Sequence, residues 1–527
     1  MAECPVCDQL PSFAKHLHQY PDLGMAWYDA NPLARGLGRL RTDDEVIQHL
    51  SLPPMLPPDI RQKPAHERVH HLGIAIKRLF IPTTEAVRLY RAIEQMLYQR
   101  YVELTPFLPG FTKEVKKRSA QFMEDWVADL SPQDPVANHL LVRGFPGTGK
   151  SRTVQRCLSL FTPVLYHSEF QGRPFPFQQR VAVKLDCPPE GSVRGLCLQF
   201  LAELDRLFVR KDGRKTNYFQ HYKRLTKNEL LVVMAELALQ HGVGLLVIDE
   251  IQNLLDALVD GRRVILNFLV GLENTIGVPV LVVGTYAADE LVLARYHQVR
   301  RSEGEGHFEW VPMMCDEEWD KFVKALWSCQ VIQKPARFGK EFSQTLYELS
   351  GGVMDLALRI FRFAQEDAIA EETESVTLRS LTEAAAHHCP LSRGTLEALK
   401  ARDWNNPLLQ DLSDMLTGEQ REELKNSQGT ALAVAEADDV TAPQRKHSID
   451  KAKPASKRTA STGRKQKPQA LGEATSRRRK SPCKQRQTCT GQLQRLVSEG
   501  SANGVSATEA LKDHVAKPST DQKEAQP

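Results

Sequence analysis

The stretch Gly144-Phe145-Pro146-Gly147-Thr148-Gly149-Lys150-Ser151 constrains this chain more than any other. It fits the pattern G-x-x-x-x-G-K-[ST], in which a glycine-rich loop turns its backbone N–H groups inward around phosphate without Cβ clashes. Lys150 is placed to reach β/γ-phosphate oxygens, the Ser151 hydroxyl to ligate Mg²⁺, and the helix that follows adds its positive N-terminal end. Gly144, Gly147, Thr148, Gly149, Lys150 and Ser151 are therefore candidate nucleotide-binding residues. The flanks suit the motif: residues 138–143 read as a short strand entering the loop, and residues 151–158 as the helix leaving it.

A second motif follows about one hundred residues later. Gly244-Leu245-Leu246-Val247-Ile248-Asp249-Glu250 is an apolar run ending in two acids, as expected of a buried parallel strand. Acids at the C-terminal end of such a strand lie where open α/β sheets bind ligands. Asp249 is expected to hold Mg²⁺ through its water shell, and Glu250 to orient or deprotonate the attacking water. Residues 278–285 read as the next strand, ending in Thr285 as a candidate γ-phosphate sensor; a strand-terminal hydroxyl bonded to backbone is the plain alternative. Val181 to Asp186 reads as a fourth strand. Strands alternating with helical stretches predict a parallel sheet with crossover helices. The expected fold class is α/β, a P-loop ATPase with an intact hydrolytic acid.

Charge is unevenly distributed along the 527 residues, whose net is +4. Residues 441–490 carry fifteen Lys or Arg against Asp450 and Glu473, a net of +13, and residues 491–527 hold four basic and five acidic side chains; about −8 falls on residues 1–440. The basic tail can bind DNA nonspecifically or an acidic protein surface. No run of about eighteen apolar residues occurs, no signal-peptide pattern opens the chain, and the ten cysteines are scattered. Those features predict a cytoplasmic protein without membrane partners or a disulfide framework.

Five segments are expected. Residues 1–20 hold Cys4, Cys7, His16 and His18, which suggest one structural Zn²⁺, or else a frayed terminus with unligated thiols. Residues 21–136 form an N-terminal extension, irregular and Pro-rich over 21–80. Beyond that, a helical stripe of Ala86, Leu89, Tyr90, Ile93, Met96, Leu97 and Tyr101 follows Thr84 as its cap, and another helix spans 111–130. Residues 137–310 form the nucleotide-binding domain, 311–417 a small helical lid, and 418–527 a polar tail expected to be disordered. Lys113, Lys116, Lys117, Arg118, Lys211, Arg214, Lys215, Lys223 and Arg224 are candidate phosphate-backbone contacts or ordinary surface charge.

With its helical lid, the chain resembles an AAA+ ATPase. Three stretches are more specific: Leu245 to Leu254; Asn267-Phe268 with Ile276 to Val280; and Leu346 to Asp355. Together with Asn31-Pro32-Leu33 and the Trp319 to Trp327 segment, they resemble TnsC, the AAA+ regulator of Tns-type (Tn-seven-like) transposons, over roughly residues 28–400. The resemblance implies ATP-dependent binding to double-stranded target DNA as a homo-oligomeric ring or filament. It also implies a target selector of TniQ/TnsD type, in some relatives tied to a CRISPR complex, the transposase subunits TnsA and TnsB, and a bacterial, nucleoid-associated location. Residue by residue, Gly144, Gly149, Lys150 and Ser151 match Walker A, Asp249 and Glu250 match Walker B, and Thr285 matches the sensor position. Arg300 or Arg301 lies where relatives carry an arginine pair, and one of them is the expected arginine finger. Asp355 stands where many AAA+ lids carry arginine, with Arg359 one turn later. A remodelling or loader ATPase of the same superfamily is the competing reading.

Overall fold

The computed structural model describes residues 14–17, 20–128, 139–207, 216–256, 269, 272, 276–287, 308–390 and 394. They lie within a unit made of Met1–Met415 and Leu496–Pro527; a second unit, Leu416–Arg495, and the expected polar tail lie outside the described residues. The Asn267-Phe268 pair lies outside them too.

Five strands make a parallel sheet: β2 (His139–Gly144), β5 (Ala182–Asp186), β6 (Leu245–Asp249), β7 (Val280–Gly284) and β8 (Phe308–Trp310), in the order β5-β6-β7-β2-β8. Every residue of β6 and β7 is buried, and apart from Asp249 at the end of β6 both strands are apolar, as a sheet covered on two faces requires. The fold is α/β, a parallel sheet covered by helices, preceded by an N-terminal helical region. The expected strands at 138–143, 181–186, 244–250 and 278–285 all occur, each within a residue or two.

The sequence reading missed a second sheet, β1 (Ala14–Leu17), β3 (Val164–Phe170) and β4 (Arg173–Arg180), in the order β1-β3-β4. Phe170 pairs with Arg173, so Gln171 and Gly172 alone make the turn, with φ of 50° and 73°. Two consecutive positive φ values suit a hairpin turn matched to the strand twist. Gln171 is a poor advertisement for such a turn, which is why the hairpin is quiet in sequence.

Residues 21–80 hold more helix than the irregular segment expected. They form α1 (Ala26–Asp29), α2 (Pro32–Gly36), α3 (Asp43–Leu50) and α4 (Ala65–Arg78). Then come α5 (Thr84–Glu103) and α6 (Phe111–Ala128). The seven apolar residues expected to form a stripe on α5 are all buried. Its cap is Thr83, whose side chain accepts from the Ala86 N–H, and not Thr84, which donates to Glu318 instead. Within the α/β region lie α7 (Lys150–Leu158), α8 (Val193–Leu207), α9 (Tyr218–Tyr222) and α10 (Lys227–Gln240). The C-terminal helices are α11 (Glu317–Trp327), α12 (Lys340–Ser350), α13 (Met354–Ala370) and α14 (Leu378–His388). Gly351 and Gly352, with φ of 59° and 76°, end α12.

The packing of α4 differs from that of α5. Leu72, Ala75, Ile76 and Leu79 join one core with Trp319, Leu346 and Phe361 of the C-terminal helices. Arg68, on α4, donates to both carboxylate oxygens of Glu374 at 2.7 and 2.5 Å and is 3% exposed. The Arg68 bonds hold the Glu374 carboxyl below its ordinary value. Replacing Glu374 by Ala leaves a buried guanidinium unpaired and is expected to cost about 3 kcal/mol in chemical unfolding. The folded pKa is depressed, so the pair's contribution is full above the unfolded value of 4.5 and is lost as pH falls through the lower folded value. Wild type is therefore expected to lose part of its advantage over Glu374→Ala below pH 4.5, measured as the difference between their unfolding midpoints.

Candidate nucleotide site

The glycine-rich loop leaves β2 at Gly144, which adopts φ +148°. A Cβ there would lie 2.0 Å from the Trp310 carbonyl oxygen, so only glycine lets β2 run this close to the end of β8. The Trp310 carbonyl accepts the Phe145 N–H at 2.9 Å. From the other side, the Asp355 N–H at the start of α13 donates to the Gly147 carbonyl at 3.1 Å. A Cβ on Gly147 would sit 3.1 Å from Val353 Cγ1. The loop is thus held between the end of β8 and the start of α13.

Lys150 opens α7 and is buried; its Nζ donates to the carbonyls of Gly144 and Phe145, each at 2.8 Å. Burial pushes its pKa down to about 8, against the pull of Glu250 and Asp249. Ser151 Oγ donates to Asp249 Oδ1 at 2.9 Å, so the two residues expected to share Mg²⁺ lie side by side although 98 positions apart. These are hard oxygen donors at a phosphate cradle, a set that fits Mg²⁺. Asp249 is 2% exposed.

Glu250 follows with φ +56°, a left-handed conformation uncommon for a residue with a side chain. Its N–H donates to Asp249 Oδ1 at 3.0 Å. Gln252 donates to the Glu250 carboxylate through Nε2 and accepts the Thr285 N–H through Oε1 at 3.1 Å. One amide therefore ties the expected base to the expected sensor. Sequence reasoning gave Gln252 no role, although it lies two residues beyond Glu250. It also missed Lys184, which pairs with Asp249 Oδ2 at 2.9 Å and with Asp186.

A cavity of about 390 Å³ opens over the loop. Gly147, Gly149, Lys150, Ser151, Asp249, Glu250 and Thr285 line it together with Leu79, Phe80, Ile81 and Thr83. The last four were not anticipated. They join α4 to α5 and offer apolar surface beside the phosphate cradle, as a nucleotide base requires. Asp355 also lines the cavity, and Arg359 pairs with its carboxylate at 2.7 Å.

Several expected site residues lie elsewhere. Arg300, Arg301, Lys211, Arg214, Lys215, Cys4, Cys7 and His18 are outside the described residues, and His16 is on β1. Among the described residues, no cluster of three or more His, Cys, Asp or Glu side chains could hold a metal, so nothing there supports the expected zinc. Lys113, Lys116 and Lys117 are exposed on α6, and Arg118 pairs with Glu114 at 2.9 Å. No described helix is long and apolar enough to cross a membrane.

A family model described as AAA domain matches residues 135–292. That range holds the P-loop and the Asp249-Glu250 pair. Among solved structures, the chain is similar to Cdc6p from Pyrobaculum aerophilum at 13% identity and a TM-score of 0.34, over 51% of this chain and 66% of that one. It is similar to a Walker-type ATPase of Pyrococcus abyssi at 14% identity and 0.33, over 55% and 75%. It is also similar to the RuvB Holliday junction branch migration motor of Thermotoga maritima at 15% identity and 0.27, over 52% and 67%. No curated protein matches the chain. The AAA domain implies nucleotide as ligand and ATPase chemistry in general terms.

The Lys150 environment sets a pH dependence for that ligand. A phosphate group favours the charged ammonium, so the complex binds a proton that the free site begins to lose above about pH 8. ATP affinity is expected to fall as pH rises from 8 towards the ordinary lysine value of 10.5. Calorimetry at pH 9 in two buffers of different ionisation enthalpy should report net proton uptake on binding.

Proposed function

We propose that this chain is an ATP-dependent regulator of DNA transposition of the TnsC kind. In this reading it oligomerises on double-stranded target DNA in its ATP state. It connects a target selector of TniQ/TnsD type to the TnsA and TnsB transposase subunits, in the bacterial cytoplasm at the nucleoid. The observation that carries the reading is the Asp249-Glu250-Ile251-Gln252 stretch, part of the resemblance, in which Gln252 joins Glu250 to Thr285 over the phosphate cradle.

The reading assigns a role to each expected residue. Gly144, Gly147, Thr148 and Gly149 shape the cradle, and Lys150 leaves its loop carbonyls for β/γ-phosphate oxygens. Ser151 and Asp249 hold Mg²⁺, which neutralises phosphate charge. Glu250 orients and deprotonates the attacking water, and Thr285 senses the γ-phosphate. Arg300 or Arg301 of a neighbouring copy supplies the finger, because a planar guanidinium suits equatorial phosphate oxygens. ATP turnover then acts as a timer on assembly. The basic residues 441–490 add salt-sensitive, sequence-neutral contact with DNA or an acidic partner.

Glu250→Gln keeps the side chain's size and its bond to Gln252 while removing the base. It is expected to slow ATP hydrolysis by about 10²-fold or more and to trap the ATP-bound oligomer on duplex DNA. Electron microscopy of protein with duplex DNA should show rings or filaments with a nonhydrolysable ATP analogue and none without nucleotide. Lys150→Ala should lose both nucleotide binding and assembly. Normal disassembly of the Glu250→Gln protein would remove the role given to Glu250. ATP binding without any DNA-bound assembly would favour a remodelling or loader ATPase.

A further inference from the structure

Asp249 is approached by three protein groups. Its Oδ1 accepts Ser151 Oγ at 2.9 Å and the Glu250 N–H at 3.0 Å, and its Oδ2 faces the Lys184 ammonium at 2.9 Å. Lys184 comes from β5, the sheet neighbour of β6, and its Nζ also pairs with Asp186. Strand register brings these three together: Asp186 lies directly opposite Asp249, and the Cys187 N–H donates to the Asp249 carbonyl at 2.8 Å. The two carboxylates differ sharply in setting. The Asp249 side chain is 3% exposed and the Asp186 side chain 71%. Lys184 therefore bridges a buried acid of the nucleotide site and a solvated acid at the rim.

A divalent cation drawn to Asp249 meets a carboxylate that a lysine already neutralises. Two cations sharing one carboxylate repel each other, and each weakens the other's hold. A second acceptor beside the lysine eases that conflict, because the ammonium can give up Asp249 without losing its counter-charge. We propose that Lys184 competes with Mg²⁺ for Asp249, and that Asp186 is the alternate acceptor onto which Lys184 shifts, so that this pair sets how much Mg²⁺ nucleotide binding requires. Lys184 and Asp186 are positioning residues that act through Asp249. The inference rests on the nucleotide reading of the P-loop, and extends it to a linkage between metal concentration and nucleotide occupancy.

The two residues act in opposite directions, which separates this role from mere support of the fold. Lys184→Met removes the competing charge while keeping the aliphatic stem. Asp186→Asn removes the alternate acceptor and concentrates the ammonium on Asp249. The measurement is fluorescence of a methylanthraniloyl ATP analogue bound to the full-length protein, at fixed nucleotide and titrated with MgCl₂. Lys184→Met is expected to lower the Mg²⁺ midpoint about two- to fivefold, the range for a partly solvated ion pair, and Asp186→Asn to raise it by a similar factor. Affinity at saturating Mg²⁺ should stay close to wild type in both. An unchanged or raised midpoint in Lys184→Met overturns the proposal, as does a midpoint that moves the same way in both variants. If Lys184→Met unfolds, the solvated Asp186→Asn change decides alone, and an unshifted midpoint there overturns it. A wild-type protein that binds no analogue at any Mg²⁺ concentration removes the nucleotide reading itself. Wild-type binding lost in Lys150→Ala, with midpoints unmoved in the other two variants, removes only the competition.

Discussion

The contact between Gly144 and the end of β8 is the constraint on which the site depends. The backbone of β2 passes so close to Trp310 that a single Cβ would strike its carbonyl at 2.0 Å. That approach lets the Trp310 carbonyl take the Phe145 N–H and fixes where the loop begins. The loop then runs to Gly147, where the start of α13 meets it through the Asp355 N–H, and to Lys150, whose ammonium folds back on the loop's first two carbonyls. Strand, loop and the two helices are thereby tied by four hydrogen bonds within seven residues. Because β2 sits between β7 and β8, the same anchoring sets the loop opposite the ends of β6 and β7, where Asp249, Glu250 and Thr285 stand.

The parts of this arrangement readable in sequence were those carried by local pattern. Glycines with a lysine at fixed spacing marked the cradle, and uninterrupted apolar runs marked β6 and β7, because a strand buried on both faces has no polar alternation to obscure it. Asp249 and Thr285 stand out for the same reason, as the first polar groups after such runs, with Glu250 the next acid along. What escaped was carried by long-range register. Lys184 meets Asp249 only because β5 and β6 lie side by side, and Arg68 meets Glu374 across 306 positions. Neither pair has a local signature. The β3–β4 hairpin escaped because its turn uses Gln171 in a left-handed conformation that Asn or Asp would have announced. The helix α4 was hidden between proline-rich stretches, although Leu72, Ala75, Ile76 and Leu79 recur at helical spacing.

Placing α4 with the C-terminal helices changes the meaning of the segment that follows it. Leu79 shares the core of Trp319 and Phe361, whereas Ala86 and Leu89 of α5 are buried on the α/β side, where Ala86 receives the Cys157 thiol of α7 on its carbonyl. The chain between them, Phe80 to Thr83, crosses from one packing group to the other and lines the nucleotide cavity on its way. Arg152 of α7 reinforces the crossing by donating to the carbonyls of Lys77 and Leu79 at 2.7 and 2.5 Å. A nucleotide base seated against Phe80 and Ile81 would touch the segment that joins the α4 packing group to α5.

Electrostatics points the same way. The two lysines of the site both have partners within the protein: Lys150 on backbone carbonyls, and Lys184 on two carboxylates. A phosphate must draw Lys150 from carbonyls that are themselves good acceptors, and a metal must share Asp249 with Lys184. Each exchange returns part of the attraction as lost protein contacts, so the net affinity is smaller than the charges alone imply. Asp355 adds a negative charge at the cavity wall where Arg359 neutralises it. Such a site is suited to a nucleotide that comes and goes. Under the proposed timer role, that property would matter more than tight binding, since a product held as firmly as the substrate would leave the timer unable to reset.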